Sequence, residues 1–275
     1  MEKEKNLNIS AIQMCSEIGN KYKNFEKVSQ LIHRDVNKEV DIIILPEVWT
    51  VGWDCRYFRQ SAEYLGNSET VNLLSKIAKE YNSYILGGSF IEKIDDNTYL
   101  NTCPVIDRQG KLIAKYSKNH LYSSYGADEN KYITTGSSPV MVNIDGIKTG
   151  LTICYDIRFP EIFRAYRKAG VELLINMAAW GLHKPIAWET LTRCRAIENQ
   201  AYMVALTQSG QISESEWNIG HSRIFDYLGN TVAEIKDQKE GAMSVKINLS
   251  QMRQYREECL IMNDIKNSYE VKYYE

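Results

Sequence analysis

Leu151-Thr152-Ile153-Cys154-Tyr155-Asp156-Ile157-Arg158-Phe159-Pro160-Glu161-Ile162-Phe163-Arg164 joins an apolar run to a proline-started segment. Residues 147–153 follow an Asp145-Gly146 turn signal and read as a buried strand. Pro160, whose fixed φ suits a first helical turn, marks where a helix begins. Cys154 therefore falls in a strand-to-helix elbow. Such a turn lifts a side chain out of its sheet and aims nearby backbone N–H groups at it, as a nucleophile requires. On position alone a cysteine at a strand end is more often a small buried hydrophobe.

Two further segments change that balance. Asp41-Ile42-Ile43-Ile44-Leu45-Pro46-Glu47 is a short apolar strand ending on a carboxylate, and Ala114-Lys115-Tyr116-Ser117-Lys118-Asn119-His120-Leu121 ends a second strand on a lysine. Leu45-Pro46-Glu47, Lys118-Asn119-His120-Leu121 and Cys154 through Glu161 together resemble the nitrilase superfamily of carbon–nitrogen hydrolases, in the family's chain order of Glu, Lys and Cys and over about residues 7 to 247. The resemblance implies Glu47 as general base, Lys118 as stabiliser of the tetrahedral intermediate and Cys154 as nucleophile. The chemistry is coherent without the family. An ordinary thiol is scarcely ionised at pH 7, so attack on an amide needs a base within hydrogen-bond reach and a cation facing the developing charge. The Tyr155 backbone N–H is the expected second oxyanion donor.

The alternation of elements sets the fold class. Strands are expected at 7–13, 41–45 and 84–90, with helices over 21–34 and 69–81 between them, a β-α-β-α-β pattern that argues for parallel strands with helices outside. Residues 100–107 and 111–118 flank Arg108-Gln109-Gly110, and 141–144 and 147–153 flank Asp145-Gly146; both pairs read as hairpins. Helices over 160–169 and 186–199 then alternate with strands at 173–177 and 202–207. Short strands at 221–225, 231–235 and 243–247 follow, with a helical stretch at 251–255. This α/β pattern fits the α-β-β-α sandwich of two mixed sheets flanked by helices that the resemblance implies, although periodicity alone does not separate one sheet from two.

Length and composition bound the rest. The 275 residues, 44% of them hydrophobic, suffice for one large core with no linker dividing them, so residues 1–275 read as a single domain with its core at 7–247. A formal charge of −2, from 33 basic and 35 acidic residues, gives no footprint for nucleic acid. Six cysteines lack paired spacing, so reduced thiols, no metal and no cofactor are expected. A charged N-terminus and the lack of any membrane-length apolar run point to a cytoplasmic protein away from the membrane. The segment 248–275 is either an arm on a second subunit, as the resemblance suggests for a homodimer or higher homo-oligomer, or a mobile surface tail.

Residues 119–138 form a long connection expected to lack regular structure. Within it Glu129-Asn130-Lys131-Tyr132-Ile133-Thr134-Thr135-Gly136 resembles the family's second-glutamate segment, which implies Glu129 as a fourth active-site residue; a solvated loop glutamate is the other reading. Arg158 either forms a bidentate pair with a substrate carboxylate or binds Glu161 or Asp156 and holds the elbow. By resemblance Ala179 and Trp180 line the pocket, whereas Ala187 stands where relatives commonly have histidine. Arg195 and Glu198, three apart on a predicted helix, read as a structural or interface pair. His120 and His221 read as packing residues. Trp49 and Trp53 either wall a pocket or fill the core, with at least one expected in the core.

The expected activity is two-step acyl transfer from a small amide to water, with ω-amido acids favoured if Arg158 takes a carboxylate. A nitrile or N-carbamoyl hydrolase using the same residues, and a non-catalytic dimeric binding protein on the same fold, are the rivals.

Overall fold

A computed structural model describes residues 4–123, 128–266 and 268–274. Residues 124–127 of the long connection, the first three residues and positions 267 and 275 of the C-terminal segment lie outside the described residues.

Two sheets stack face to face. The first contains β1 (Asn6–Gln13), β2 (Ile42–Ile44), β3 (Tyr84–Leu86), β4 (Phe90–Lys93), β5 (Tyr99–Ile106), β6 (Leu112–Ser117) and β13 (Gly241–Asn248), in the order β13-β1-β2-β3-β5-β4 with β6 also paired to β5. The second runs β12-β11-β10-β9-β8-β7, from β7 (Val140–Ile144), β8 (Ile147–Ile153), β9 (Leu173–Ala178), β10 (Tyr202–Thr207), β11 (Arg223–Phe225) and β12 (Thr231–Glu234). Strands β1, β2 and β3 are parallel, as are β8, β9 and β10, while the remaining pairings are antiparallel. Both sheets are thus mixed, as expected. The first and last of these strands meet in the first sheet, where β13 pairs with β1 from Asn6↔Asn248 to Gln13↔Gly241.

The period of two explains the layering. In β2, Ile42 and Ile44 pack into the core shared with the second sheet, whereas Ile43 joins the layer under the helices. Successive strand side chains point to opposite faces, so three consecutive isoleucines signal a strand buried on both. Helices α1 (Lys21–Asp35) and α3 (Glu69–Tyr81) supply Val28, Leu31, Ile32, Leu74 and Ile77 to that outer layer. Ser68 caps α3 by accepting a hydrogen bond from the Val71 N–H at 3.0 Å. Between these helices α2 (Phe58–Ser61) is a single turn. On the second sheet α4 (Pro160–Lys168) and α5 (Pro185–Asn199) both begin at proline, and α6 (Leu249–Glu258) follows an Asn248 cap.

Three expectations need correction. The strand expected at 84–90 is two strands, because Gly88 (φ +63°) turns the chain beneath the β2 exit; a Cβ there would stand 2.1 Å from the Pro46 carbonyl oxygen. The connection 119–138 contains a 3₁₀ turn at Glu129–Lys131 and returns to the sheets through Thr134 N–H to Tyr99 O and Gly136 N–H to Lys118 O. The helix expected at 251–255 is twice that length. Its extra turns follow from the Asn248 side chain, which accepts hydrogen bonds from the Ser250 and Gln251 N–H groups.

Candidate active site

Each polar residue of the site leaves a strand or opens a turn. Glu47 follows β2, Lys118 follows β6, Glu129 heads the 3₁₀ turn, and Cys154 begins a turn of five residues (Cys154–Arg158) directly after β8. Cys154 adopts φ +46°, a left-handed conformation uncommon for a side-chain-bearing residue and the local expression of the elbow.

Lys118 Nζ stands 2.9 Å from Glu47 Oε1 and 2.8 and 2.9 Å from the two oxygens of Glu129. All three side chains are fully buried. Glu47 also accepts from Asn101 Nδ2 and from the Ala179 N–H, both at 2.9 Å, and Gln208 Nε2 donates to its backbone carbonyl. Glu129 accepts from Trp53 Nε1 at 3.2 Å and from the Tyr122 N–H at 2.6 Å. The buried Cys154 side chain neighbours Glu47 and Lys118, whose charges act on its thiol. The structure therefore brings Glu47, Lys118, Glu129 and Cys154 into one cluster with Lys118 between the two carboxylates, and Glu129 is buried there, away from solvent.

The cluster has two carboxylates and one ammonium. Burial pushes the Cys154 thiol well above its ordinary range, and Glu47 reinforces that shift while Lys118 opposes it. Burial likewise raises Glu47; Lys118 pulls it down and Glu129 pushes it up again. For Lys118, burial works against the charge, but Glu129 and Glu47 outweigh it and hold the ammonium well above its usual range. The surroundings thus favour the ammonium form of Lys118 and the protonated form of the Cys154 thiol, and they enhance the basicity of the Glu47 carboxylate. Passing the thiol proton to Glu47 leaves the net charge unchanged, which favours transfer in a dry environment.

Above the cluster opens a cleft of about 650 Å³ whose walls include Cys154, Tyr155, Arg158, Ala179 and Trp180, so every site residue expected from the sequence belongs either to the cluster or to the cleft. As second residue of its turn, Tyr155 has an N–H without an intrahelical acceptor. Arg158 forms no ion pair with Asp156 or Glu161 among the described residues. Its guanidinium carbon lies 5.0 Å from the Trp180 ring centre and 5.8 Å from that of Tyr155, along the cleft wall. Arg195 is a structural residue: it binds Glu198 at 2.8 Å and donates to the Ile157 carbonyl at 3.1 and 2.8 Å. Trp49 is core, while Trp53 lines the cleft.

Sequence reasoning missed Asn101, the Trp53 indole donor, Tyr122, Lys184 and the 212–217 loop that closes one side of the cleft. Asn101 carried a signal, as an amide in the middle of an otherwise buried strand; the loop residues carried none. Among the described residues no group of three or more His, Cys, Asp or Glu side chains is arranged to hold a metal ion.

The carbon-nitrogen hydrolase family model matches residues 8–257, and the chain belongs to that family. Among curated relatives, the 2-oxoglutaramate amidase of Bacillus subtilis is 33% identical over 258 residues, covering 94% of this chain and 97% of the relative. The omega-amidase NIT2 of Xenopus tropicalis is 32% identical over 247 residues, 88% of each chain. Saccharomyces cerevisiae Nit3, a member of branch 10 of the nitrilase superfamily, superposes with a TM-score of 0.84 at 25% identity, covering 92% of this chain and 94% of its own.

Proposed function

We propose that the protein is an amidase that hydrolyses a small, carboxylate-bearing amide through a thioester on Cys154. One observation carries the reading: Lys118 is clamped between Glu47 and Glu129 at the floor of the cleft, with the Cys154 thiol as a close electrostatic neighbour of the three. In the mechanism, Glu47 takes the thiol proton as sulfur attacks the carbonyl carbon, and the carbonyl oxygen becomes an alkoxide facing Lys118 Nζ and the Tyr155 N–H. The carbon–nitrogen bond then breaks while Glu47 returns its proton to nitrogen, and ammonia or an amine leaves. Water gives a proton to the same glutamate, attacks the thioester, and the departing thiolate recovers the proton. Glu129 holds Lys118 in place throughout.

Arg158 is the proposed anchor for the substrate carboxylate, supported by its position on the cleft wall without a carboxylate partner among the described residues. The 2-oxoglutaramate amidase and omega-amidase relatives favour the same acidic substrate class. We take residues 1–275 as one catalytic unit in a homodimer or higher homo-oligomer; exposed Leu260, Ile261, Val271 and Tyr273 support self-association through the C-terminal segment. Six free cysteines accord with a cytoplasmic location.

The test is product release from ω-amido dicarboxylates, neutral amides, N-carbamoyl amino acids and nitriles, with Cys154→Ala in parallel. Cysteine-dependent turnover confined to acidic amides supports the proposal. Turnover of neutral amides or nitriles instead removes the role of Arg158, and silence across the panel removes the amidase reading.

A further inference from the structure

Asp156 is fully buried two residues beyond Cys154, and no step above uses it. Four donors meet its carboxylate. Oδ2 accepts from the Ile153 N–H at 2.9 Å and from the Tyr116 hydroxyl at 2.6 Å; Oδ1 accepts from the His120 N–H at 3.0 Å and from His120 Nδ1 at 2.7 Å. Only the first bond is what a residue capping its own turn would make. The other three come from the opposite sheet's chain, at the positions two before and two after Lys118.

We infer that Asp156 is a positioning residue that sets the separation of Lys118 from Cys154 across the two sheets. Lys118 leaves β6 of the first sheet and Cys154 leaves β8 of the second, so no shared backbone ladder fixes one against the other. Asp156 grips the residue before Cys154 on one side and brackets Lys118 on the other. The remaining freedom of the elbow is removed at its far end, where Arg195 binds the Ile157 carbonyl, and on its outer side, where the His120 ring stacks on Phe159 with centres 3.8 Å apart. A left-handed Cys154 persists when its surroundings over-determine it, and the Asp156 bond to Ile153 is part of that constraint. Oxyanion stabilisation falls steeply when a donor is displaced by a fraction of an ångström, which makes a carboxylate gripping both partners a determinant of rate.

This inference rests on the amidase reading, and Asp156→Asn tests it. The amide keeps the size of the side chain but offers a single accepting oxygen, so donors on one side face an N–H₂ group. With the best amide from the substrate panel, kcat is expected to fall at least tenfold with KM within about threefold of wild type, because the substrate's own contacts are untouched. The rate of Cys154 alkylation by iodoacetamide, followed by mass spectrometry, is expected to change as well. That second readout needs no substrate and so separates failure of this inference from failure of the amidase reading. A variant with wild-type kcat and alkylation rate and only a lower melting temperature overturns the proposal. If Asp156→Asn does not fold, Tyr116→Phe combined with His120→Ala removes two donors and leaves the carboxylate; unchanged kcat and alkylation in that protein overturn it equally.

Discussion

Lys118 Nζ sits 2.9 Å from Glu47 Oε1 with neither side chain exposed to solvent, and the lysine enters from β6 while the glutamate enters from β2. A buried ion pair of this kind is costly to desolvate and costlier still to break. Lys118→Met leaves Glu47 and Glu129 facing each other without a cation. Stability is expected to drop by about 3–5 kcal/mol in urea unfolding, and turnover by at least about 10²-fold from the lost oxyanion partner. A Lys118→Met protein with wild-type turnover would contradict the proposed role.

Glu47→Gln removes the base and keeps the shape. The amide oxygen can still accept from the Ala179 N–H, so circular dichroism is expected to remain native while kcat falls by about 10²- to 10⁴-fold, the usual contribution of general acid–base catalysis. Single-turnover measurements that separate acylation from deacylation should show both steps slowed, since one carboxylate serves both.

The pH profile follows from the same charges. Burial raises the Glu47 carboxyl, Lys118 offsets part of that rise, and Glu129 adds to it. The base works deprotonated, so kcat/KM is expected to fall on the acid side through an apparent pKa above the ordinary carboxylate range. Glu129→Gln removes a negative neighbour and should move that acid limb to lower pH. An acid limb that stays in place would show that Glu129 does not influence the base.

The two tryptophans separate stability from rate. Trp49 is fully buried, and its indole N–H donates to the Gly87 carbonyl at 2.8 Å; Trp49→Ala is expected to cost about 3–5 kcal/mol. Trp53→Phe keeps an aromatic ring in the cleft but removes the donor to Glu129. Loss of a hydrogen bond to a charged group, roughly 1.5–3 kcal/mol, should lower the melting temperature less than Trp49→Ala does, and activity should fall by about tenfold as Glu129 holds Lys118 less firmly.

Gly88→Ala tests the backbone under the base. The added methyl meets the Pro46 carbonyl oxygen, and the φ of +63° is unfavourable for alanine. A loss of more than about 1 kcal/mol of stability together with reduced turnover is expected, because Pro46 carries Glu47. Differential scanning calorimetry and steady-state assays on one preparation check both.

Much of this could be read from residues alone where local rules and tertiary need agree. Helix α3 is legible because Val71, Leu74, Ile77 and Ala78 recur at helical spacing and form its inward face. The elbow was legible because Pro160 fixes the helix start, leaving Cys154 in the turn. The strand at 84–90 was not, since Gly88 is needed for a close approach to Pro46 that only the folded sheet reveals. The roles of Asn101, Trp53 and Asp156 are set by partners that lie tens of residues away along the chain: Asn101 and Glu47 are separated by 54 positions. Periodicity cannot report such pairs. The walls at 212–217 come from a loop whose composition carries no signal.

The pairing of β1 with β13 places the first and last strands of the sandwich side by side, from Asn6↔Asn248 onward. A growing polypeptide emerging from the ribosome holds β1 unpaired on this side until the residues from Gly241 onward have been made. Glu47, Lys118 and Cys154 have all been made by then, yet the sheet that frames two of them lacks an edge. Closure is a late, long-range event of the kind that slows folding and exposes unpaired strand edges meanwhile. For this chain, a ribosome stalled before residue 241 would carry every reacting group and no completed scaffold to hold them.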